Sequence, residues 1–167
     1  ILLSEGKMEK RILIIGSPGS GKSTLAHHLH KTYGIPLYHM DNINWIDNKM
    51  MISQEELIEQ LNQIIAKNTW IIDGNYSDTL PLRLKRATVV IWLKEPRCKC
   101  IYRVIKRVII HNLKRHRIGG NPNTISFEFI KYVWQFPENN NEFIKLQQLK
   151  TQGHIKWIIS NSRLKNL

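Results

Sequence analysis

Residues 16–23 constrain the fold of this chain more than any other segment does. They read GSPGSGKS and fit the pattern G-x-x-x-x-G-K-S/T. A short apolar run precedes them at residues 11–15, and apolar residues at helical spacing follow them. When a strand turns through glycines into a helix, successive backbone N–H groups point to one place, where they can bind phosphate oxygens. The segment therefore predicts an α/β fold with a phosphate-binding loop after its first strand.

The residue types in this loop suit the binding of a nucleoside triphosphate, either ATP or GTP. Lys22 can reach the β- and γ-phosphates, the Ser23 hydroxyl can ligate Mg²⁺, and Thr24 can bond the α-phosphate. The other candidate nucleotide-binding residues shape the backbone of the loop; they are Gly16, Pro18, Gly19, Ser20 and Gly21. The alternative is a glycine-rich turn with an incidental lysine, but the flanking strand and helix favour phosphate binding.

Predicted strands and helices alternate along the rest of the chain. Further strands are expected at residues 35–40, 70–72, 88–93 and 155–159. Gly34 is expected to end the first helix, and Ser53 and Glu56 form a capping box that begins the next. Alternating strands and helices predict a parallel sheet with helices on both faces.

The C-terminal third of the chain carries two more predicted helices, at residues 125–136 and 142–149, which we expect Pro137 to separate. The whole pattern fits a single domain over residues 8–167. Residues 1–7 precede Met8 and are expected to be an extension outside that domain.

Two carboxylates, Asp41 and Asp73, follow the second and third predicted strands. Ligands of open parallel sheets bind beyond the carboxyl ends of the strands, so both carboxylates should face the same cleft as Lys22. Either could hold Mg²⁺ through water or accept a proton from an attacking hydroxyl. The alternative is that each caps a turn, because Asp-Asn and Asp-Gly are common turn dipeptides. Asn75 and Tyr76, close after Asp73, are candidates for the acceptor site.

The net charge of +12 is concentrated in residues 94–117, where nine basic residues accompany one acid. Arg103 and Arg107 are four residues apart and share a helix face, where they could stabilise the charge of a transferred phosphoryl group. Residues 97–124 thus predict a helical, arginine-rich lid. The alternatives are a solvated helix face, a nucleic-acid-binding patch and a membrane-surface helix. Either Arg83 or Arg86 could hold the acceptor, or both could be exposed helix charges.

The sequence gives no signal for a secreted or membrane-embedded protein. It has two cysteines, Cys98 and Cys100, which complete neither a zinc pattern nor a disulfide framework. It has no apolar run long enough to cross a membrane and no secretory signal. We therefore expect a cytoplasmic protein with reduced thiols.

Four segments of the chain resemble the topology modulation protein family (FlaR type), within the adenylate-kinase-like P-loop kinases. They are residues 16–25, 36–45 (PLYHMDNINW), 70–77 (WIIDGNYS) and 79–86 (TLPLRLKR). The first segment alone indicates only the P-loop superfamily, whereas the other three indicate the topology modulation protein family within it. It extends over nearly the whole chain from Met8.

The resemblance implies a nucleoside-monophosphate-kinase-like fold, with a five-stranded parallel sheet in the order 2-3-1-4-5 and a lid that bears arginines. It also implies an acceptor site near strands two and three, and it places Arg163 near the donor base. Adenylate kinases have Phe-Pro-Arg where this chain has Asn75, Tyr76 and Ser77 after Gly74, so the arginine that binds the AMP phosphate is missing. Arg83 could replace it, or Asp41 could act as base on an acceptor that is not a nucleotide.

The sequence therefore predicts an ATP- and Mg²⁺-dependent kinase that acts on a nucleotide or on a small hydroxyl-bearing acceptor. A nucleic-acid-binding NTPase or regulator that affects DNA topology is the alternative. It depends on the net charge, on the basic cluster and on the name of the family that the chain resembles.

Overall fold

Strands and helices alternate through the part of the chain that the structure, a computed structural model, describes: residues 10–44, 51–116 and 126–161. The strands are β1 (Arg11–Gly16), β2 (Leu37–His39), β3 (Trp70–Asp73), β4 (Val89–Leu93) and β5 (Lys156–Ser160). The helices are α1 (Lys22–Tyr33), α2 (Met40–Asn44), α3 (Gln54–Ile65), α4 (Leu80–Leu84), α5 (Arg97–His116) and α6 (Phe127–Thr151), with a 3₁₀ turn at Ser77–Thr79.

The five strands form one parallel sheet in the order β2-β3-β1-β4-β5, as predicted. β1 is the central strand and pairs with β3 on one side and β4 on the other. The loop that follows β1 therefore begins at the middle of the carboxyl edge of the sheet, where ligands of such sheets bind.

Alternating side chains of the central strands pack into two cores, one on each face of the sheet. Leu13 and Ile15 join the core that α3 and α4 cover, whereas Ile12 and Ile14 join the core beneath α1. All four are at most 1% exposed. Burial of each such side chain contributes about 1.5–3 kcal/mol, so β1 is held firmly at the base of the loop.

Two predicted helix boundaries are confirmed. Gly34 ends α1 in the left-handed conformation at φ 66°, and its N–H donates to the His30 carbonyl. Ser53 and Glu56 form the capping box at the start of α3, in which each side chain accepts a hydrogen bond from the other residue's backbone N–H.

The predicted helix break at Pro137 is wrong, because α6 runs through it from Phe127 to Thr151. Proline removes one backbone hydrogen bond from a helix, but packing can outweigh that loss. Here Phe136 precedes the proline and is 2% exposed, and Ile144 follows two turns later and is 3% exposed. Both sides of the proline are thus anchored in the interior.

β2 is shorter than predicted, since its last residue is His39 and the short helix α2 begins at Met40. Asp41 therefore lies in the first turn of α2 instead of directly at a strand end. His39 takes the strand-end position that the sequence analysis gave to Asp41.

The described part of the predicted lid is α5, which packs against α6 through Cys100, Val104 and Val133. The rest of that prediction, at residues 117–124, lies outside the described residues. In the described ranges, no helix combines the length and the apolar character that crossing a bilayer requires.

Candidate functional site

A cavity of about 850 Å³ opens at the carboxyl edge of the sheet. The phosphate-binding loop and the start of α1 form its floor, with Pro18, Gly19, Gly21, Lys22, Ser23 and Thr24 in its lining. Residues that follow β2 and β3, together with residues of α5 and α6, complete the lining. Its volume falls in the range of small-molecule sites, about 300–1,000 Å³.

The loop owes its shape to glycines at positions that other residues could not occupy. Gly19 has φ +79°, and a side chain there would collide with the backbone carbonyl of Cys100 on α5. Gly21 precedes α1 at φ 97° and offers no side-chain cap to the helix. The first turn of α1 therefore borders the cavity without a side-chain cap from Gly21, an arrangement that suits the binding of anions.

Lys22 holds its ammonium group against the loop itself. Its Nζ donates hydrogen bonds to the carbonyls of Gly16 (2.8 Å) and Ser17 (3.0 Å). Burial lowers the pKa of Lys22 to about 8, although the nearby carboxylates of Asp73 and Asp41 act in the opposite direction. An anion brought into the cavity would favour the charged form of this lysine.

Ser23 and Asp73 place two oxygen donors side by side. The Ser23 hydroxyl donates to Asp73 Oδ2 at 2.9 Å, and the other carboxylate oxygen bonds His39 Nδ1 at 2.6 Å. Asp73 is only 4% exposed, so the two bonds fix its orientation.

This donor set fits Mg²⁺, which prefers oxygen ligands and retains several waters. Among the described residues, no cluster of three or more His, Cys, Asp or Glu side chains could hold a metal ion on its own. A magnesium ion at Ser23 and Asp73 would therefore complete its coordination with water and with phosphate oxygens of a nucleotide.

Arg83 holds the backbone of residues 74–76, which follow β3. Its side chain is 0% exposed, and its guanidinium donates to the carbonyls of Gly74, Asn75 and Tyr76. Burial lowers the pKa of Arg83. The side chain is absent from the cavity lining, so this structure does not support the prediction that Arg83 holds the acceptor. Arg83 is instead a positioning residue for the segment after β3.

The three carbonyl contacts hold a strained backbone in place. Tyr76 has φ 36°, a left-handed conformation that is uncommon for residues other than glycine. Such conformations persist where the surroundings fix them, often at functional sites. Next to it, the Asn75 side chain accepts a hydrogen bond from the Gly16 N–H at 2.9 Å and so ties this segment to the start of the phosphate-binding loop.

Asp41 lines the cavity from α2. The Tyr76 hydroxyl donates to Asp41 Oδ1 at 2.8 Å. Tyr132 of α6 lines the same part of the cavity; partial burial and the charge of Asp41 both raise its pKa. Asp41 is therefore near both tyrosines.

Arg103 and Arg107 project into the cavity from α5, one helical turn apart. Arg103 donates to the carbonyls of Gly19 (3.3 Å) and Ser20 (3.4 Å). It also lies 3.9 Å from the buried carboxylate of Glu95, which forms an ion pair with Lys99 at 2.8 Å. The basic helix is thus held against the phosphate-binding loop.

The structure brings most of the predicted site residues into this one cavity. Gly16 and Ser20 support the loop without lining the cavity, Arg83 lies away from it, and Arg163 lies outside the described residues. Among the side chains that contribute to the site, the sequence analysis missed His39, Asn42, Glu95, Phe129 and Tyr132. The strand-end rule that selected Asp73 would also have selected His39 if the second strand had been predicted to end at residue 39.

The sequence matches one family model. A model of the ATPase family associated with various cellular activities (AAA) matches residues 12–95, about half of the chain. These residues run from β1 to just beyond β4 and include the phosphate-binding loop. Among curated proteins, none matches the sequence.

Solved kinase structures share the fold. A gluconokinase from Sinorhizobium meliloti 1021 has 12% sequence identity and a TM-score of 0.53, and the match covers 95% of this chain and 86% of that chain. A shikimate kinase from Bacteroides thetaiotaomicron has 14% identity and a TM-score of 0.57, with 94% and 89% covered. A shikimate kinase from Aquifex aeolicus has 18% identity and a TM-score of 0.50, with 86% and 98% covered. At these identities the likeness establishes a P-loop kinase fold.

Proposed function

We propose that this chain, which belongs to the ATPase family associated with various cellular activities (AAA), is an ATP-dependent kinase. It would transfer the γ-phosphoryl group of ATP to a nucleotide or to a small acceptor with a hydroxyl group. One observation carries the proposal: the phosphate-binding loop, Lys22 and the Ser23–Asp73 pair share a single cavity with Asp41. A triphosphate on the loop would thus face a carboxylate that can receive a proton.

On the donor side, the residues would act by placing positive charge around the phosphates. The N–H groups of the loop and of the first turn of α1 would bind the phosphate oxygens. Lys22 would exchange its bonds to the Gly16 and Ser17 carbonyls for bonds to the β- and γ-phosphates. Ser23 and Asp73 would hold Mg²⁺, which supplies charge that neutralises the phosphate oxygens.

Arg103 and Arg107 would act on the transferred group. Phosphoryl transfer spreads negative charge over equatorial oxygens, and arginines placed there stabilise it. Both side chains line the cavity. We propose that α5 serves as the base of a lid that carries these two arginines.

On the acceptor side, Asp41 would receive the proton of the attacking hydroxyl. The hydrogen bond from Tyr76 to Oδ1 orients the carboxylate for this role. Kinases of this fold that phosphorylate small molecules include the gluconokinase and the shikimate kinases compared above, which supports an acceptor of that size.

The resemblance of residues 36–45, 70–77 and 79–86 supports a finer proposal, membership of the topology modulation protein family. We do not extend it to nucleic-acid binding, because much of the basic helix has other contacts. Arg103 and Arg107 face the cavity, while Arg97 and Lys99 are paired with Glu138 and Glu95.

Calorimetry and an acceptor screen test the proposed function. The full chain is titrated with ATP in the presence of Mg²⁺, and ADP formation is then followed with nucleosides, nucleotides and small hydroxyl compounds. We expect binding of ATP and acceptor-dependent formation of ADP. Folded protein that binds no ATP, or that forms no ADP with any acceptor, would contradict the proposal.

A further inference from the structure

We propose that the acceptor is an uncharged compound that carries both a hydroxyl group and a planar ring, namely a nucleoside. This inference rests on the proposed phosphoryl transfer and names the substrate class of that same site. It depends on two features of the residues that would bind the acceptor, here called the acceptor wall (Asp41, Asn42, Phe129 and Tyr132). They are the aromatic rings that α6 presents to the cavity and the charge of Asp41 close to Tyr132.

The first feature is an aromatic surface. Phe129 and Tyr132 both line the cavity and are 37% and 43% exposed, so large ring faces are open to a ligand. Their centroids are 6.3 Å apart with an interplanar angle of 27°. Tyr132 also packs edge-on against Phe136, which is 2% exposed, at 5.9 Å. The rings therefore form a supported surface of the kind that stacks with a nucleobase.

The second feature is the sign of the charge on this side of the cavity. Asp41 places a carboxylate near Tyr132, and its Oδ1 accepts from Tyr76. The carboxylate would repel an acceptor that bears a phosphate or carboxylate at this wall. Asn42, which also lines the cavity, offers an amide that can pair with the heteroatoms of a base.

The cationic side chains of the cavity lie close to the phosphate-binding loop, on the side where ATP would bind. Among the described lining residues these are Lys22, Arg103 and Arg107. Lys22 and Arg103 make hydrogen bonds to carbonyls of the phosphate-binding loop, and Arg107 follows one turn along α5. Positive charge therefore accompanies the triphosphate, while the acceptor wall combines ring faces with a negative group.

The reaction balances with these groups. The hydroxyl oxygen of the nucleoside forms a bond to the γ-phosphorus of ATP, and the bond from that phosphorus to the β–γ bridging oxygen breaks. ADP leaves with the electron pair, and the hydroxyl proton passes to Asp41. The product is a nucleoside monophosphate; once Asp41 has returned its proton to solvent, its negative charge repels the new phosphate and favours release.

Paired ligands test the charge argument. Calorimetry on the full chain measures the binding of adenosine, guanosine, cytidine and uridine and of their 5′-monophosphates. A second assay measures ADP formation with each of these ligands and with gluconate and shikimate. We expect at least one nucleoside to bind roughly 100-fold more tightly than its monophosphate and to support turnover. In Asp41→Asn, the monophosphate should bind about 10-fold better than in the unmodified chain, because the repelling charge is gone.

Variants of α6 test the ring surface. Tyr132→Ala should weaken nucleoside binding about 10-fold, whereas Tyr132→Phe, which retains the ring, should change it less than about threefold. The matched control is Phe127→Ala, because Phe127 lies on the same helix, is 76% exposed and is absent from the cavity lining. Its nucleoside binding should equal that of the unmodified chain.

The outcomes separate this inference from the proposed function. ADP formation with gluconate, shikimate or a monophosphate but with no nucleoside would overturn the inference and leave phosphoryl transfer standing. Equal loss of binding in Tyr132→Ala and Phe127→Ala would overturn the ring-stacking argument. Nucleoside binding that depends on Tyr132, without any ADP formation, would support the ring site and overturn phosphoryl transfer.

Discussion

The two sides of the cavity are built in different ways. The donor side comes mainly from consecutive residues, in which the loop after β1 turns directly into α1 and brings Lys22 and Ser23 with it. The acceptor side is assembled from elements far apart in the sequence, with Asp41 on α2, Tyr76 after β3 and Tyr132 on α6. A contiguous backbone fixes the first, whereas tertiary packing fixes the second.

This difference predicts different responses to substitution. Donor-side changes should abolish reaction with every acceptor, because each acceptor requires the same bound triphosphate. Acceptor-side changes should alter which compounds react and how well, with ATP binding retained. Four measurements test this division, beginning with the largest expected effect.

Lys22→Ala should lower kcat/KM about 10³-fold for every acceptor, because it removes the ammonium group that would contact the transferred phosphate. Steady-state kinetics with the best acceptor measure the effect. Lys31→Ala is the matched control, since Lys31 is exposed near the other end of the same helix. A loss confined to one acceptor would break the proposed division between the two sides.

Arg83→Met should destabilise the protein by about 3 kcal/mol, because it removes the donors to the three carbonyls that residues 74–76 present to the guanidinium. Urea unfolding measures this change, and the exposed Arg86→Met serves as control. Since residues 74–76 adjoin both sides, ATP binding and acceptor turnover should decline together. Normal stability in Arg83→Met would contradict the positioning role.

ATP affinity should depend on pH through Lys22. Burial lowers its pKa to about 8, so the free protein carries a charged lysine below that pH and a neutral one above it. Because the triphosphate favours the charged form, binding above pH 8 must take up a proton, and affinity should fall about 10-fold per pH unit there. Calorimetry in buffers with different ionisation enthalpies measures the uptake. Lys22→Arg should show no uptake in this range.

Tyr76→Phe should have the smallest effect, a fall in kcat of about threefold to tenfold with ATP binding unchanged. The substitution removes the hydrogen bond to Asp41 Oδ1 but keeps the ring. Kinetics with varied acceptor and with varied ATP separate the effect on the acceptor from the effect on ATP. A raised KM for ATP in this variant would mean that the acceptor side of the cavity also contributes to the binding of ATP.

The sequence was sufficient for the parts of the molecule that depend on local pattern. The loop, the alternation of strands and helices and the capping box at Ser53 follow from residue spacing over short ranges, and the resemblance implied the strand order that is observed. The rule that ligands meet the carboxyl ends of strands also predicted that Asp73 faces the cleft of Lys22, and both residues line the cavity.

Features that depend on packing between distant segments were not predictable in this way. The burial of Arg83 depends on how α4 lies against the segment after β3, and nothing local distinguishes it from the exposed Arg86. Likewise, the helix continues through Pro137 because Phe136 and Ile144 are both buried, a tertiary constraint that outweighs the local preference of proline.

The hydrogen bond from the Gly16 N–H to the Asn75 side chain has a thermodynamic consequence. It joins Gly16, the last residue of β1, to Asn75, two positions beyond the end of β3. If the acceptor displaced residues 74–76, this bond would transmit the displacement to the start of the phosphate-binding loop, where ATP would bind. Linkage of this kind is reciprocal: whatever ATP does to the affinity for the second substrate, the second substrate does equally to the affinity for ATP. Any coupling that this single amide oxygen transmits would therefore act equally on both binding equilibria.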